Sequence, residues 1–237
     1  MSESAADCRS WGGLVARDTR LLTPQDWCAG PESQPAPVLA YGNGRSYGDS
    51  CLNDGGALIL GRRLDRVLTF DRQSGLVTCE AGVLLDDLLK LVVPAGWFPP
   101  VTPGTSLVTV AGALANDVHG KNHHRAGSFG RHVRAFELAR SDGSRLTCAP
   151  DLNPGLFAAT IGGFGLTGLI TQVTLQLMPI ASSEMMQEVL HFDRLDRFFA
   201  IAAESDATHD YTVAWIDSLA GGADFGRGVF FRANHAP

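Results

Sequence analysis

Short apolar runs alternate with glycine-rich turns along most of the chain, and this alternation is typical of strands joined by tight connections. The runs predict strands at residues 38–40, 57–60, 67–70, 76–80, 133–140, 145–148 and 169–177. The turn Ser-Asp-Gly-Ser at residues 141–144 joins two of these strands and predicts a hairpin. A glycine-rich loop, residues 161–168, leads directly into the last strand.

Two segments within the first 180 residues have the sequence pattern of a helix. Residues 83–92 place aliphatic side chains on one face and Asp86, Asp87 and Lys90 on the other, and the pattern ends before Pro94. Residues 153–160 begin at an asparagine that can cap a helix, and they predict a second, shorter one. Helices and strands therefore share the chain, and the expected class is α+β.

The chain divides into three parts by its pattern. Residues 1–37 predict irregular chain, with Trp11 and Trp27 among polar residues and prolines at positions 31, 35 and 37. A domain is expected at residues 38–180. Beyond Pro179 and a polar stretch, a strand at 189–193, a helix at 195–205 and a strand at 211–217 predict a further α+β unit within residues 181–237. We expect this unit to be the start of a truncated second domain.

Composition narrows the class of protein. The 237 residues suffice for one large domain or two smaller ones, and the net charge of −6 excludes the basic surface that a nucleic-acid partner needs. The acidic start lacks the features of a secretory signal, and prolines interrupt the uncharged stretch 91–116, so no transmembrane segment is expected. Five scattered cysteines without a C-x-x-C pair are typical of reduced thiols in a cytoplasm.

Two glycine loops suggest phosphate binding. Residues 163–168 match G-x-G-x-x-G, but a Rossmann fingerprint requires a following helix, and a strand is predicted there instead. Residues 42–48, Gly-Asn-Gly-Arg-Ser-Tyr-Gly, can form a concave nest of N–H groups with Ser46 and Arg45 as further donors. A tight turn between two strands remains the alternative interpretation of this first loop.

A polar cluster follows a stretch that is almost free of charge. Residues 102–113 are small and uncharged, which suits backbone lying against a flat or phosphorylated ligand. Residues 116–124 then gather three histidines and Lys121. The histidines at 119, 123 and 124 could bind a metal, line a ligand cavity or cap a solvated loop; the cavity is favoured, because no carboxylate or cysteine has a recognised metal spacing and we expect no metal.

Six motifs in a fixed order carry a family resemblance. They are Tyr-Gly-Asn-Gly-Arg-Ser-Tyr-Gly-Asp at 41–49, Pro-Gly-Thr at 103–105, Thr-Val-Ala-Gly at 109–112, Asn-Asp-Val-His-Gly-Lys-Asn-His-His at 116–124, Gly-Ser-Phe-Gly at 127–130 and Gly-Gly-Phe-Gly-Leu-Thr-Gly at 162–168. Together they resemble the FAD-binding (PCMH-type) domain of the vanillyl-alcohol oxidase / p-cresol methylhydroxylase family, most of all its decaprenylphosphoryl-β-D-ribose 2′-oxidase group. The resemblance spans residues 38–179.

This resemblance implies two α+β subdomains that clamp FAD, followed by a substrate domain. His119 and Lys121 are the implied polar contacts at the flavin face and the candidate catalytic residues. The implied cofactor-binding residues are Tyr41, Gly42, Asn43, Gly44, Arg45, Ser46, Tyr47, Gly48, Asp49, Gly104, Thr109, Val110, Ala111, Gly112, Asn116, Asp117, Val118, His119 and Ile170.

The resemblance also implies a chemistry. The expected reaction oxidises a CH–OH group of a sugar or polyprenyl-phosphate sugar by hydride transfer to flavin N5, with a quinone-like acceptor, oxygen or a partner reductase receiving the electrons. Many relatives bind flavin covalently through a histidine where this chain has Arg45, so non-covalent FAD is expected. The alternatives are an FAD-binding module without turnover and an NAD(P)-binding protein. The expected location is the cytoplasm or the periphery of the inner membrane.

Overall fold

The computed structural model describes residues 8–29, 37–222 and 225–237. The acidic start at residues 1–7 and the prolines at positions 31 and 35 lie outside the described residues. The strands are β1 Arg20–Leu22, β2 Val38–Tyr41, β3 Ala57–Leu60, β4 Val67–Asp71, β5 Leu76–Glu80, β6 Trp97–Phe98, β7 Val133–Ala139, β8 Arg145–Cys148, β9 Leu169–Gln176, β10 Met178–Pro179, β11 Met185–Phe192, β12 Tyr211–Ile216 and β13 Gly228–His235. The α-helices are α1 Pro24–Ala29, α2 Leu85–Val92, α3 Val110–Ala115, α4 His123–Ala126, α5 Pro154–Thr160 and α6 Leu195–Asp206.

Three strands in the first part of the chain form a small parallel sheet. Its strand order is β1-β3-β2, and both pairs are parallel. Leu22 and Trp27, from β1 and α1, pack with Ala57 and Ile59 of β3, which is buried along its whole length. In the described part of the chain, the first strand therefore begins at residue 20, whereas the sequence predicts irregular chain up to residue 37. The difference arises because β1 is only three residues long and owes its pairing to a strand more than thirty residues later.

A five-stranded antiparallel sheet forms the centre of the fold. Its strand order is β4-β5-β9-β7-β8. The hairpin predicted around residues 141–144 is confirmed, since β7 pairs with β8 in antiparallel register. The glycine loop at residues 161–168 leads into β9 and not into a helix, as the sequence predicts.

The main core lies between this sheet and three helices. Leu85, Leu88 and Val92 of α2 are buried against it, as the amphipathic pattern predicts, although the helix begins at Leu85 and not at residue 83. Helix α3 contributes three more buried residues, and the ring of Phe157 in α5 stacks on Phe136 of β7 with centroids 5.4 Å apart. The combination of helices with parallel and antiparallel sheets confirms the α+β class.

The C-terminal residues form a third sheet with its own small core. The strand order is β11-β13-β12, and α6 covers one face through Phe192, Ile201 and Phe230. The predicted helix at 195–205 and strand at 211–217 correspond to α6 and β12. Strand β13, which pairs with both neighbours, was not predicted.

Candidate functional site

A cavity of about 700 Å³ lies where three loops meet. The loops are residues 42–48 after β2, residues 103–109 before α3 and residues 163–168 before β9. Of the residues proposed from sequence, those that line the cavity are Tyr41, Gly42, Asn43, Gly44, Arg45, Ser46, Tyr47, Gly104, Thr109, Ala111, Gly112, Asn116, Val118, His119 and Ile170. Segments far apart in sequence are therefore brought to one site.

The loop at residues 42–48 presents backbone donors without protein acceptors. Among the described residues, no protein acceptor takes the N–H groups of Asn43, Gly44 or Arg45. The side chain of Asn43 donates to the carbonyl oxygen of Leu107 at 2.7 Å and ties this loop to the loop before α3. Consecutive N–H groups left free beside a cavity form a binding site for an anion.

Arg45 supplies a positive charge at the same place. It is the single Arg, Lys, Asp or Glu among the cavity-lining residues of the described chain. Its Nε is buried and has no hydrogen-bond partner there. Because an unpaired buried donor is costly, the guanidinium fits a site completed by an anionic ligand.

Small side chains allow two backbone segments to approach each other closely. A Cβ on Gly42 would lie 2.9 Å from Oγ1 of Thr109, and one on Gly112 would lie 2.8 Å from the same atom. Thr109 Oγ1 also accepts a hydrogen bond from the N–H of Gly112 at 3.0 Å, which caps the start of α3. Thr109 thus begins a short helix, Val110–Ala115, near the end of the uncharged stretch. The sequence pattern did not predict this helix.

The two candidate catalytic residues, His119 and Lys121, differ in their relation to the cavity. His119 is exposed, lines the cavity and forms a β-bridge with Ser128. Lys121 is exposed and does not line the cavity; its carbonyl oxygen accepts a hydrogen bond from the N–H of Thr212 at 2.9 Å. Of the two candidate catalytic residues, His119 is the one that faces the cavity.

The C-terminal sheet holds the segment that carries His119. Arg125 forms an ion pair with Asp210 at 3.2 Å, and Nε2 of His124 lies 3.3 Å from the carbonyl oxygen of His209. Together with the bond from Thr212, these contacts join residues 121–125 to the turn between α6 and β12. The third sheet thereby fixes one wall of the region beside the cavity.

Four proposed cofactor-binding residues do not line the cavity. Gly48 and Asp49 are exposed beyond its edge, and Val110 is fully buried in the main core. Asp117 has a positive φ of 41°, and its Oδ1 accepts a hydrogen bond from the N–H of Gly130 at 2.8 Å. The carboxylate of Asp117 therefore holds the neighbouring turn in place.

Several cavity residues were not singled out from the sequence. Trp11, Cys51 and Phe164 all line the cavity. The loop that contains Phe164 was considered as a Rossmann fingerprint and as a motif of the family resemblance, but Phe164 itself was given no role. Burial raises the pKa of the Cys51 thiol, so this group stays neutral at ordinary pH. The one available signal was glycine density at 163–168, since Trp11 and Cys51 carry no motif.

The fold and the cavity define an α+β domain that holds a phosphate-bearing cofactor. A family model described as an FAD binding domain matches residues 30–149. The chain is 42% identical to decaprenylphosphoryl-beta-D-ribose oxidase of Mycolicibacterium smegmatis over 203 residues, which are 84% of this chain and 44% of that protein. The chain therefore belongs to the FAD binding domain family, and FAD is its cofactor.

Two relatives of lower identity are also named as oxidases. The chain is 34% identical to L-gulonolactone oxidase of Mus musculus over 62% of this chain and 33% of that protein. It is 30% identical to D-arabinono-1,4-lactone oxidase of Yarrowia lipolytica over 57% of this chain and 26% of that protein. The chain spans less than half the length of each of these three relatives.

The cavity fits FAD by its own chemistry. A pyrophosphate needs hydrogen-bond donors and positive charge, and the free N–H groups of residues 43–45 together with Nε of Arg45 supply both.

In the parts of the chain that are described, no group of three or more His, Cys, Asp or Glu side chains is placed to hold a metal ion. Within the same residues, no helix has the length and apolar character required to cross a membrane.

Proposed function

We propose that this chain is the flavin-binding part of an oxidoreductase that oxidises a CH–OH group of a sugar or polyprenyl-phosphate sugar. The observation that carries the proposal is the cavity in which Arg45 and the free N–H groups of the first loop face the segment bearing His119. The name of the mycobacterial relative, a decaprenylphosphoryl-ribose oxidase, supports the substrate class. When bound, FAD supplies a flavin ring that accepts a hydride from the substrate carbon.

The other roles in the proposed function are assigned to residues of this chain. The loop at 42–48 binds the pyrophosphate, and Thr109 with Gly112 lets the second backbone segment approach it. His119 provides a polar contact at the flavin face and orients the substrate hydroxyl by hydrogen bonding. We assign Lys121 to the substrate side, beyond the cavity, where its exposed ammonium group reaches a phosphate or sugar oxygen.

FAD is held without a covalent bond in this proposal. Arg45 occupies the position at which many members of the resembled family carry the attaching histidine. The thiol of Cys51, the one cysteine among the described cavity residues, is kept neutral by the effect of burial on its pKa and is a poor nucleophile. Reoxidation is assigned to a quinone-like acceptor, oxygen or a partner reductase.

We also propose where the domains divide and where the chain works. Residues 38–180 form the flavin-binding domain and residues 181–237 the start of a substrate domain; the separate core of the third sheet supports this division. A polyprenyl-phosphate substrate requires access to a lipid surface, which supports a location in the cytoplasm at the periphery of the inner membrane.

A second candidate function is an FAD-binding module without turnover. It is favoured by the coverage of the relatives, because more than half of the mycobacterial protein lies outside the matched region. In this candidate, the residues that would complete a substrate site belong to the unmatched remainder. The two candidates share cofactor binding and differ only in reduction of the bound flavin.

Flavin reduction separates the two candidates, and acid precipitation tests how the flavin is held. The purified chain is saturated with FAD and freed of unbound flavin by gel filtration. It is then precipitated with acid, and the yellow colour is followed to the supernatant or the pellet. We expect a yellow supernatant, and a yellow pellet would contradict non-covalent binding. A second sample is mixed without oxygen with a polyprenyl-phosphate pentose; bleaching of the flavin absorbance supports the oxidoreductase, and unchanged absorbance supports the module.

A further inference from the structure

A short N-terminal turn contacts the phosphate-binding loop, although it precedes the region that the family model matches. Arg9 and Val15 pair across this turn, which we call the N-terminal hairpin, residues 9–15. The N–H of Arg9 donates to Oη of Tyr41 at 2.9 Å, and the Tyr41 hydroxyl donates to the carbonyl oxygen of Arg9 at 2.7 Å. The hairpin is thus fixed to the end of β2, where the glycine loop begins.

A second bond fixes the tip of the hairpin. The N–H of Trp11 donates to the carbonyl oxygen of Ser46 at 3.0 Å. The indole lines the cavity while 56% of the residue remains exposed. A large aromatic side chain is therefore held at the cavity wall by backbone bonds to the glycine loop itself.

The indole lies beside the one charged side chain of the described cavity lining. Cζ of Arg45 is 5.9 Å from the centroid of the Trp11 ring, within the range of a cation–π contact. The Nε of Arg45 is buried and has no hydrogen-bond partner among the residues that the structure describes. A free arginine side chain loses considerable rotamer freedom when it binds an anion, and a ring that already restricts the guanidinium lowers this cost.

We propose that the N-terminal hairpin is part of the FAD site and that Trp11 is a positioning residue for Arg45. The Trp11 ring holds the guanidinium at the cavity, where its unpartnered Nε donates to the pyrophosphate of FAD. The inference rests on FAD binding at this cavity and adds a residue outside the matched family region. It requires that Trp11 act through Arg45 and not by direct stacking on the cofactor.

A double-mutant cycle on FAD affinity tests this requirement. The variants are Trp11→Ala, Arg45→Gln and the pair, with the FAD dissociation constant measured by flavin fluorescence on the apoprotein. We expect Trp11→Ala to weaken binding about two- to fivefold, as a partly exposed cation–π contact allows. In the Arg45→Gln background the same change has no further effect, because the group that Trp11 positions is gone.

Two further variants control the result. Trp11→Phe keeps an aromatic face and retains most of the affinity, whereas Leu14→Ala changes an exposed side chain of the same hairpin outside the cavity and leaves affinity unchanged. Trp11→Leu repeats the cycle with apolar volume kept, should the alanine variant fold poorly. Additive losses in the cycle, or full affinity in Trp11→Ala, would overturn the inference while FAD binding stands; absence of FAD binding to the unchanged chain would remove the proposed function itself.

Discussion

Glycine at position 44 is required by neighbouring protein atoms. Its φ is +61°, and a Cβ there would overlap the carbonyl oxygen of Arg9 and the hydroxyl of Tyr41. From the sequence, the glycines of this loop are explained by the close approach of the protein backbone to a cofactor. The structure adds the hairpin as a second cause, so a side chain at position 44 disturbs the fold of the loop before it meets FAD.

Glu80 is a buried carboxylate whose ionisation is linked to stability. The hydrogen bond from the Arg66 guanidinium, 2.7 Å away, lowers the pKa of Glu80 below its usual value. A group with a lowered pKa stabilises the fold above its unfolded pKa, and this contribution is lost as the pH falls through the folded value. We expect Glu80→Gln to lose less unfolding free energy between pH 7 and pH 3 than the unchanged chain, as measured by urea denaturation.

The exposed Glu184 provides the control for this pH dependence. Glu184→Gln should follow the curve of the unchanged chain. If Glu80→Gln showed the same acid sensitivity as Glu184→Gln, the ion pair with Arg66 would make no contribution to stability.

Among the elements, the helices differ in how clearly the sequence pattern predicts them. Helix α2 is amphipathic over two turns, and its apolar stripe alone predicts both the helix and its buried face. Helix α3 has six residues, includes Gly112 and has no polar face. It forms because Thr109 caps its first turn and because Val110, Ala113 and Leu114 are buried in the main core.

Two leucines of α2 allow a matched test of this packing. Leu88 is fully buried, whereas Leu91 is 37% exposed on the same helix. We expect Leu88→Ala to lower the free energy of unfolding by about 2–5 kcal/mol, since it leaves a cavity under the sheet. Leu91→Ala should cost about 0.5 kcal/mol or less in the same urea titration. Equal losses would contradict the burial pattern of the helix.

For the molecule as a whole, the sheets differ in the size of the cores that support them. Counted over the described residues, the five-stranded sheet rests on a cluster of 20 buried residues, whereas the C-terminal sheet rests on three. Regions with few buried apolar contacts open at lower free energy than a central core. The ion pair of Arg125 with Asp210 adds little to the stability of this sheet, because exposed ion pairs are weak.

Hydrogen exchange tests this difference. We expect the amides of β5, β7 and β9 to exchange most slowly and those of β11, β12 and β13 to exchange faster, as read by mass spectrometry of peptides. Saturation with FAD should slow exchange in residues 42–48 more than in β11. Uniform protection of all strands would show that the C-terminal sheet opens only with the whole molecule.

The sequence by itself determined the α+β class, the strands at 57–60 and 76–80, the hairpin and the order of the cofactor motifs, because these depend on local periodicity and turn chemistry. Tertiary structure decided which motif residues face the cavity. It left Val110 in the core, gave Asp117 a structural hydrogen bond, and left Lys121 outside the cavity lining. It also brought Trp11 to Arg45 and paired β1 and β13 with distant strands. Such pairings depend on contacts between segments far apart in sequence, and no local pattern encodes them.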